Sequence, residues 1–147
     1  MSRNVPVIVF AALGSLGGVT RPSAESPAQQ NCLHGPDSTP EQQARRREAL
    51  GATRNVNTMQ ANQPAARGNR YLRHEDLAAS PFATKQASPA FKKLNLTPGE
   101  EILPGWQLTL DVSEDSYWFM IKDKTDPCGF AFISNKAGII YTAEPIR

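Results

Sequence analysis

The residues best suited to redox or metal chemistry are two cysteines and two histidines, at Cys32, Cys128, His34 and His74. Cys32 and His34 form a Cys-x-His pair, but no second pair follows at the spacing of a zinc site. Structural zinc sites take four protein ligands. The sequence therefore predicts no metal site and no cofactor, and we expect the histidines to lie at the surface.

Five carboxylates in predicted loops form a second group with possible chemistry. A calcium site needs six or more converging oxygen atoms. Lys122 and Lys124 flank the second cluster of carboxylates, and the spacing of an EF-hand is missing. We therefore interpret these side chains as solvated turn carboxylates: Asp111, Glu114, Asp115, Asp123 and Asp126.

Catalysis by a nucleophile would require an activated Ser, Cys or Thr beside a base that a third group orients. The chain has no Gly-x-Ser-x-Gly string and no cysteine with a suitable histidine partner. Arg45, Arg46 and Arg47 spread around a helix and cannot form one flat anion-binding patch. With a net charge of +2, the composition does not require a nucleic acid partner. We predict a non-catalytic protein that binds no nucleic acid.

The N-terminus has the three-part order of a secretory signal. Arg3 precedes an apolar run of 15 residues, Val5 to Val19, and a polar, Pro-containing stretch follows. The sequence predicts a signal peptide over 1–28, cleaved after Ala24 or Ala28. A membrane-spanning helix needs about 20 apolar residues, so we expect no stable membrane span after processing; a retained anchor is the alternative. The predicted location is periplasmic or secreted.

Export also bears on the cysteines, because oxidising compartments favour disulfides. With two cysteines, one intramolecular pairing is possible, and we predict a bond between Cys32 and Cys128.

Secondary structure is predicted in the domain 39–147, which follows a flexible linker over 29–38. Thr39, Pro40 and Gln42 give a capping box and a proline at the first helical position. The helix should run to about Gln63. Its predicted buried stripe has three- and four-residue spacing: Ala49, Ala52, Thr53, Val56, Met59 and Gln60.

The segment from Ala65 to Gly105 is rich in prolines, so we expect short helices that lie over a sheet. From Trp106 the apolar period changes to two. Four strands then follow, separated by turns, which predicts an α+β fold with one amphipathic N-terminal helix on a four-stranded antiparallel meander. Trp118 and Met120 lie on the face of their strand opposite to Phe119. They are either covered by the preceding segment or free as a partner surface.

Several strings resemble the globular part of type IV pilin-like and pseudopilin-like proteins. They are the helix Ala52 to Gln60, the loop strings Gly68-Asn69-Arg70-Tyr71 and Glu75-Asp76-Leu77, and the final hairpin Phe132 to Thr142. The resemblance covers about residues 44–143. It implies a pilin-like fold, and in some pseudopilins a loop near the end of the sheet holds calcium.

The chain also departs from that family. The pilin cleavage motif is absent, since Gly17-Gly18 is followed by Val19-Thr20-Arg21-Pro22, and a polar stretch separates the apolar run from the helix. The polymerising helix is therefore missing. We expect an exported domain that acts through contacts with an envelope protein. The alternative is a small secreted ligand-binding or enzymatic domain with a cleft under the 65–105 segment.

Overall fold

The computed structural model describes residues 32–62, 71–84 and 89–144. The predicted signal peptide over 1–28 lies outside the described residues. Of the predicted linker, residues 32–38 are described, and they form turns that lead into the first helix.

Helix α1 spans Pro40–Ala61. Its start follows from the sequence, because the Thr39 hydroxyl accepts a hydrogen bond from the Gln42 N–H and the Gln42 side chain accepts one from the Thr39 N–H. This reciprocal pair satisfies two donors that the first helical turn leaves open. The predicted stripe is confirmed: the buried residues of α1 are Ala49, Ala52, Thr53, Val56, Met59 and Gln60.

Along the chain, three one-turn helices follow α1 and precede the sheet: α2 (His74–Leu77), α3 (Pro81–Thr84) and α4 (Pro89–Lys92). Two of them begin at a proline, which suits the first turn of a helix because it lacks the N–H that has no partner there. Among the helices of the described ranges, none has the length and apolar character required to cross a bilayer.

The sheet is an antiparallel meander of five strands in sequence order: β1 (Glu101–Leu103), β2 (Trp106–Val112), β3 (Tyr117–Asp123), β4 (Ala131–Asn135) and β5 (Ile140–Ala143). The α+β class is as predicted, but the count of four strands was wrong. The missed strand, β1, has three residues, which is too short for an alternating pattern to be visible.

A tight turn at Gly105 allows β1 to pair with β2. Gly105 has a φ of +80°, a conformation that residues with a side chain rarely adopt. A Cβ atom at this position would also lie 2.7 Å from Nη2 of Arg45. The side chain of Glu101 stabilises the turn, since its Oε2 accepts a hydrogen bond of 2.7 Å from the Gly105 N–H.

The inner face of the sheet and the buried stripe of α1 enclose one hydrophobic core. The fully buried side chains of the sheet include Trp106, Phe119 and Ile121. Trp106 and Phe132 stack with their ring centroids 6.1 Å apart. Opposite this cluster, α1 contributes small residues and Met59, so the helix can approach the sheet closely.

The last turn of α1 is tied to the segment that follows it by a buried glutamine. The Gln60 side-chain amide donates to the Leu72 carbonyl and accepts from the Leu72 N–H, each at 2.8 Å. The Gln60 side chain therefore pairs with both backbone polar groups of Leu72, as a neighbouring strand would, and these groups are buried away from water.

Replacing Gln60 with Leu should destabilise the domain by about 2 kcal/mol, because the Leu72 N–H and carbonyl would be left buried without partners. Urea denaturation followed by circular dichroism measures the change. Gln107→Leu is the matched control, since the Gln107 amide makes one exposed hydrogen bond, to the Glu100 carbonyl. Equal unfolding midpoints for the two variants would contradict this role of Gln60.

Candidate functional site

The outer face of the sheet, opposite to α1, carries a continuous apolar row. Met120 on β3 pairs with Thr109 on β2 and with Ile133 on β4, and Ile133 pairs with Tyr141 on β5. Side chains of directly paired residues lie on the same face of a sheet. Trp118 lies two residues before Met120 and extends the row along β3. We call Trp118, Met120, Ile133 and Tyr141 the outer row.

The outer row is accessible to solvent. Trp118 is 43% exposed and Tyr141 is 52% exposed, and Met120 and Ile133 are partly exposed between them. The Trp118 indole is held in place, because its Nε1–H donates a hydrogen bond of 3.2 Å to the Asp111 carboxylate. Of the two outcomes left open for Trp118, exposure is the one observed. Ile133 and Tyr141 were not predicted as part of this surface.

One end of the outer row is positively charged. Lys122 follows Met120 by two residues on the outer face and is exposed; within residues 32–62, 71–84 and 89–144 it makes no ion pair. Beside it lies a hollow of about 420 Å³, whose lining includes Met120, Lys122 and Lys124. The Lys124 ammonium pairs with the Glu101 carboxylate at 3.0 Å. The Asp111 carboxylate binds the Trp118 indole at the other end of the row, so the Lys122 ammonium has no carboxylate partner among the described residues.

A second cluster joins the loop before α1 to the loop between β3 and β4. Cys32 and Cys128 form the predicted disulfide, with their Cα atoms 5.3 Å apart and 96 positions apart in sequence. The loop 32–38, which precedes the helix, is therefore attached covalently to the sheet. An intramolecular disulfide agrees with an oxidising compartment outside the cytoplasm.

A buried contact between a histidine and a carboxylate lies beside the disulfide. The His34 Nδ1 contacts the Asp126 carboxylate, the His34 Nε2 lies 3.1 Å from the Glu144 carboxylate, and the ring stacks on Phe130. The side chains of His34 and Asp126 are 8% and 1% exposed. The expectation of a surface histidine was wrong for His34, because the disulfide and Phe130 hold its ring against the sheet.

Burial and hydrogen bonding act in opposite directions on Asp126. Burial raises the pKa of its carboxyl, but hydrogen bonds from His34 and from the N–H groups of Cys128 and Leu33 outweigh this and hold the pKa below its usual value. Asp126 is therefore a buried, ionised carboxylate. Its expected place on a solvated turn was wrong, because the turn folds back onto the disulfide.

Asp123 was also expected on a solvated turn, and it is buried as well. Its Oδ1 accepts hydrogen bonds from the N–H groups of Thr125 and Asp126 and lies 3.4 Å from Nη2 of Arg45. Arg45 also lies over the ring of Trp106, 5.7 Å from the ring centre. The hydrogen-bonding capacity and the charge of the Asp123 carboxylate are therefore met by groups of the protein itself. Asp111, Glu114 and Asp115 are exposed, as expected.

A groove of about 380 Å³ lies between α1 and α4, beneath part of the 65–105 segment. Its walls are mainly apolar and include Gly51, Leu94 and Leu103, and an ion pair of 3.7 Å between Lys93 and Glu48 lies at its rim. The described residues that line it include no serine, cysteine or histidine. The titratable side chains of the lining are Glu48, Arg54 and Lys93.

A more polar hollow lies at the end of α1, but its central polar groups already bind one another. The Asn57 side-chain Nδ2 donates to the Ser134 hydroxyl at 2.9 Å, and the Tyr117 hydroxyl donates to the Asn57 side-chain Oδ1 at 3.1 Å. In the part of the chain that the structure describes, no buried side-chain nitrogen or oxygen lacks a hydrogen bond. The polar groups here stabilise the packing of α1 on the sheet.

Comparison of the chain with protein-family models, with curated proteins and with solved structures finds no match.

Proposed function

We propose that this chain is an exported, non-catalytic, pilin-like domain that acts through protein–protein contacts in the cell envelope, with the outer row as its contact surface. The observation that carries the proposal is the outer row itself. It places two large aromatic side chains, each more than two fifths exposed, on one side of a sheet whose other side is covered. Exposed apolar groups of this kind are typical of binding surfaces.

Two further features support the proposal. The disulfide between Cys32 and Cys128 favours a periplasmic or secreted location. The helix followed by an antiparallel meander agrees with the order of elements that the pilin-like resemblance implies. A non-catalytic role is favoured because both ring nitrogens of His34 contact carboxylates, so this imidazole is not placed to act as a general base.

The charge of the outer face indicates the chemistry of the partner. Lys122 lies at the end of the outer row without a carboxylate to neutralise it among the described residues. A partner that covers the row would bury this ammonium, which is costly unless an opposite charge meets it. The proposed partner is therefore an envelope protein with an apolar surface and a carboxylate that faces Lys122.

Photo-crosslinking in cells of the native host tests this proposal. A photoreactive amino acid at position 120 should give a protein adduct, and the same group at position 47, on an exposed part of α1, should not. Trp118→Ser in the first protein should reduce the adduct about tenfold or more, because truncation of a large aromatic residue that anchors an interface has an effect of this size. Lys122→Glu should reduce it as well.

The result that would contradict the proposal is equal crosslinking from positions 120 and 47, or an adduct from position 120 that persists unchanged in the Trp118→Ser protein. Either would mean that the outer row does not select the partner. Failure to detect any adduct from position 120 would also count against it.

A further inference from the structure

We propose that the residues around the disulfide form a zinc site when the two cysteines are reduced, with Cys32, Cys128 and Asp126 as three protein ligands and a water molecule in the fourth position. The three possible ligand atoms, two sulfurs and one carboxylate oxygen, all lie within 4.8 Å of one another. This inference does not depend on the proposed function. It concerns the junction between the loop 32–38 and the sheet, on the side of the domain where the N-terminal loop is attached.

The geometry requires little movement. Zinc binds thiolate sulfur at about 2.3 Å and carboxylate oxygen at about 2.0–2.2 Å. Two sulfurs on a tetrahedral zinc ion are therefore about 3.8 Å apart. Opening the disulfide from a covalent bond to that separation needs only rotation of two side chains whose Cα atoms are 5.3 Å apart. The carboxylate is already within reach of both sulfurs.

The carboxylate is also oriented by its neighbours. One oxygen of Asp126 accepts a hydrogen bond of 2.8 Å from the Cys128 N–H, and the other contacts the His34 ring. The Leu33 N–H also donates to this carboxylate. A carboxylate has about four lone-pair positions, so the three contacts leave one for a metal bond. Metal ligands are commonly held in this way by groups that do not themselves bind the metal. His34 is the positioning residue in this site.

Conversion of the disulfide to the zinc site requires a reductant, and a dithiol can serve as one. A dithiol reductant gives two electrons and two protons to the disulfide, which yields two cysteine thiols and the oxidised, cyclic reductant. Zn²⁺ then replaces the two thiol protons, because the thiolate is the form that binds metal. In both states the loop before α1 remains attached to the sheet, by a sulfur–sulfur bond or through the metal.

Cobalt titration of the full chain tests the proposal. The protein is reduced with a dithiol, freed of reductant under argon and titrated with Co²⁺. We expect one equivalent to give thiolate-to-cobalt charge-transfer absorption and the visible bands of a four-coordinate ion, and Zn²⁺ should remove both. The oxidised protein should give neither, because its sulfurs are joined to each other.

Variants distinguish zinc binding at this site from adventitious zinc binding by the two cysteine thiols alone. Asp126→Asn and His34→Ala should each weaken Zn²⁺ binding by about tenfold or more, measured by competition with a chromophoric chelator. Asp115→Asn, at an exposed carboxylate in the turn between β2 and β3, and His74→Ala are the controls, and both should bind as the wild type does. Absence of the charge-transfer band, or unchanged Zn²⁺ affinity in Asp126→Asn, would overturn the proposal.

A second measurement tests the site if reduction of the disulfide unfolds the chain. Circular dichroism then follows refolding as Zn²⁺ is added, since a metal that binds the native arrangement stabilises the fold. Refolding of the wild type at a Zn²⁺ concentration that leaves Asp126→Asn unfolded supports the site. Identical responses of the two proteins would overturn it.

Discussion

Met59→Asp should leave the domain unfolded under conditions in which the wild type is native. Met59 is fully buried between α1 and the sheet, and its sulfur lies 3.4 Å from the Ser80 hydroxyl. The substitution removes a core side chain, which costs about 2–5 kcal/mol, and buries a carboxylate without a partner, which adds several more. The total is about the stability of a small domain. Far-UV circular dichroism and urea denaturation measure the effect.

The control for Met59→Asp is a charge change on the exposed side of the same helix. Arg47→Asp is suitable, because Arg47 is exposed and surface substitutions usually change stability by less than about 0.5 kcal/mol. Arg46 is unsuitable although it lies outside the predicted buried stripe, because its guanidinium donates to the Leu33 carbonyl and the Ser38 hydroxyl. Equal stabilities of the Met59 and Arg47 variants would refute the assignment of the buried face.

Loss of the disulfide should be the second largest effect. The double variant Cys32→Ser/Cys128→Ser should be less stable than the oxidised wild type by about 4 kcal/mol, because a cross-link over 96 positions restricts the unfolded chain strongly. Urea denaturation in the presence of a metal chelator measures this difference without a contribution from zinc. The chelator also keeps this test separate from that of the metal site.

Reduced wild-type protein, with the chelator present, should unfold at the same urea concentration as the double serine variant. The agreement would show that the cross-link itself carries the stability, and not the packing of the two sulfur atoms. An oxidised wild type no more stable than the double variant would mean that the His34 contacts with Asp126 and Glu144 suffice to hold the junction.

Much of the fold could be predicted from the sequence, since its main elements have strong local signals. The stripe of α1 repeats with the period of a helix, and the strand Trp106–Val112 alternates between apolar and polar residues. These periods determine which side of each element is buried, whatever the distant contacts are. The turn residues then limit how the strands can be connected.

The structure of the disulfide junction could not be predicted in the same way. His34 and Asp126 are 92 positions apart, and each lies in a polar segment that is typical of a solvated loop. Their burial depends on the path of the loop between β3 and β4, which has no periodic signal. The predicted disulfide was the one indication that these two segments meet.

The outer row was predicted in part, for a related reason. Alternation along one strand indicated that Trp118 and Met120 share a face, but Ile133 and Tyr141 belong to other strands. Their alignment with Met120 depends on the register of two strand pairs, β3 with β4 and β4 with β5. A shift of one residue in any pair would move a side chain to the opposite face, and the sequence of a single chain does not determine that register.

The order of the elements along the chain has a consequence for biosynthesis. Among the described elements α1 is made first, whereas the strands of the sheet begin 40 positions or more after its end. An isolated helix of this length is marginally stable in water. The residues before the sheet contact only part of α1, so its apolar stripe is not covered until β4 has been made. The nascent chain must therefore remain open through most of its synthesis, and the domain folds late and as one unit.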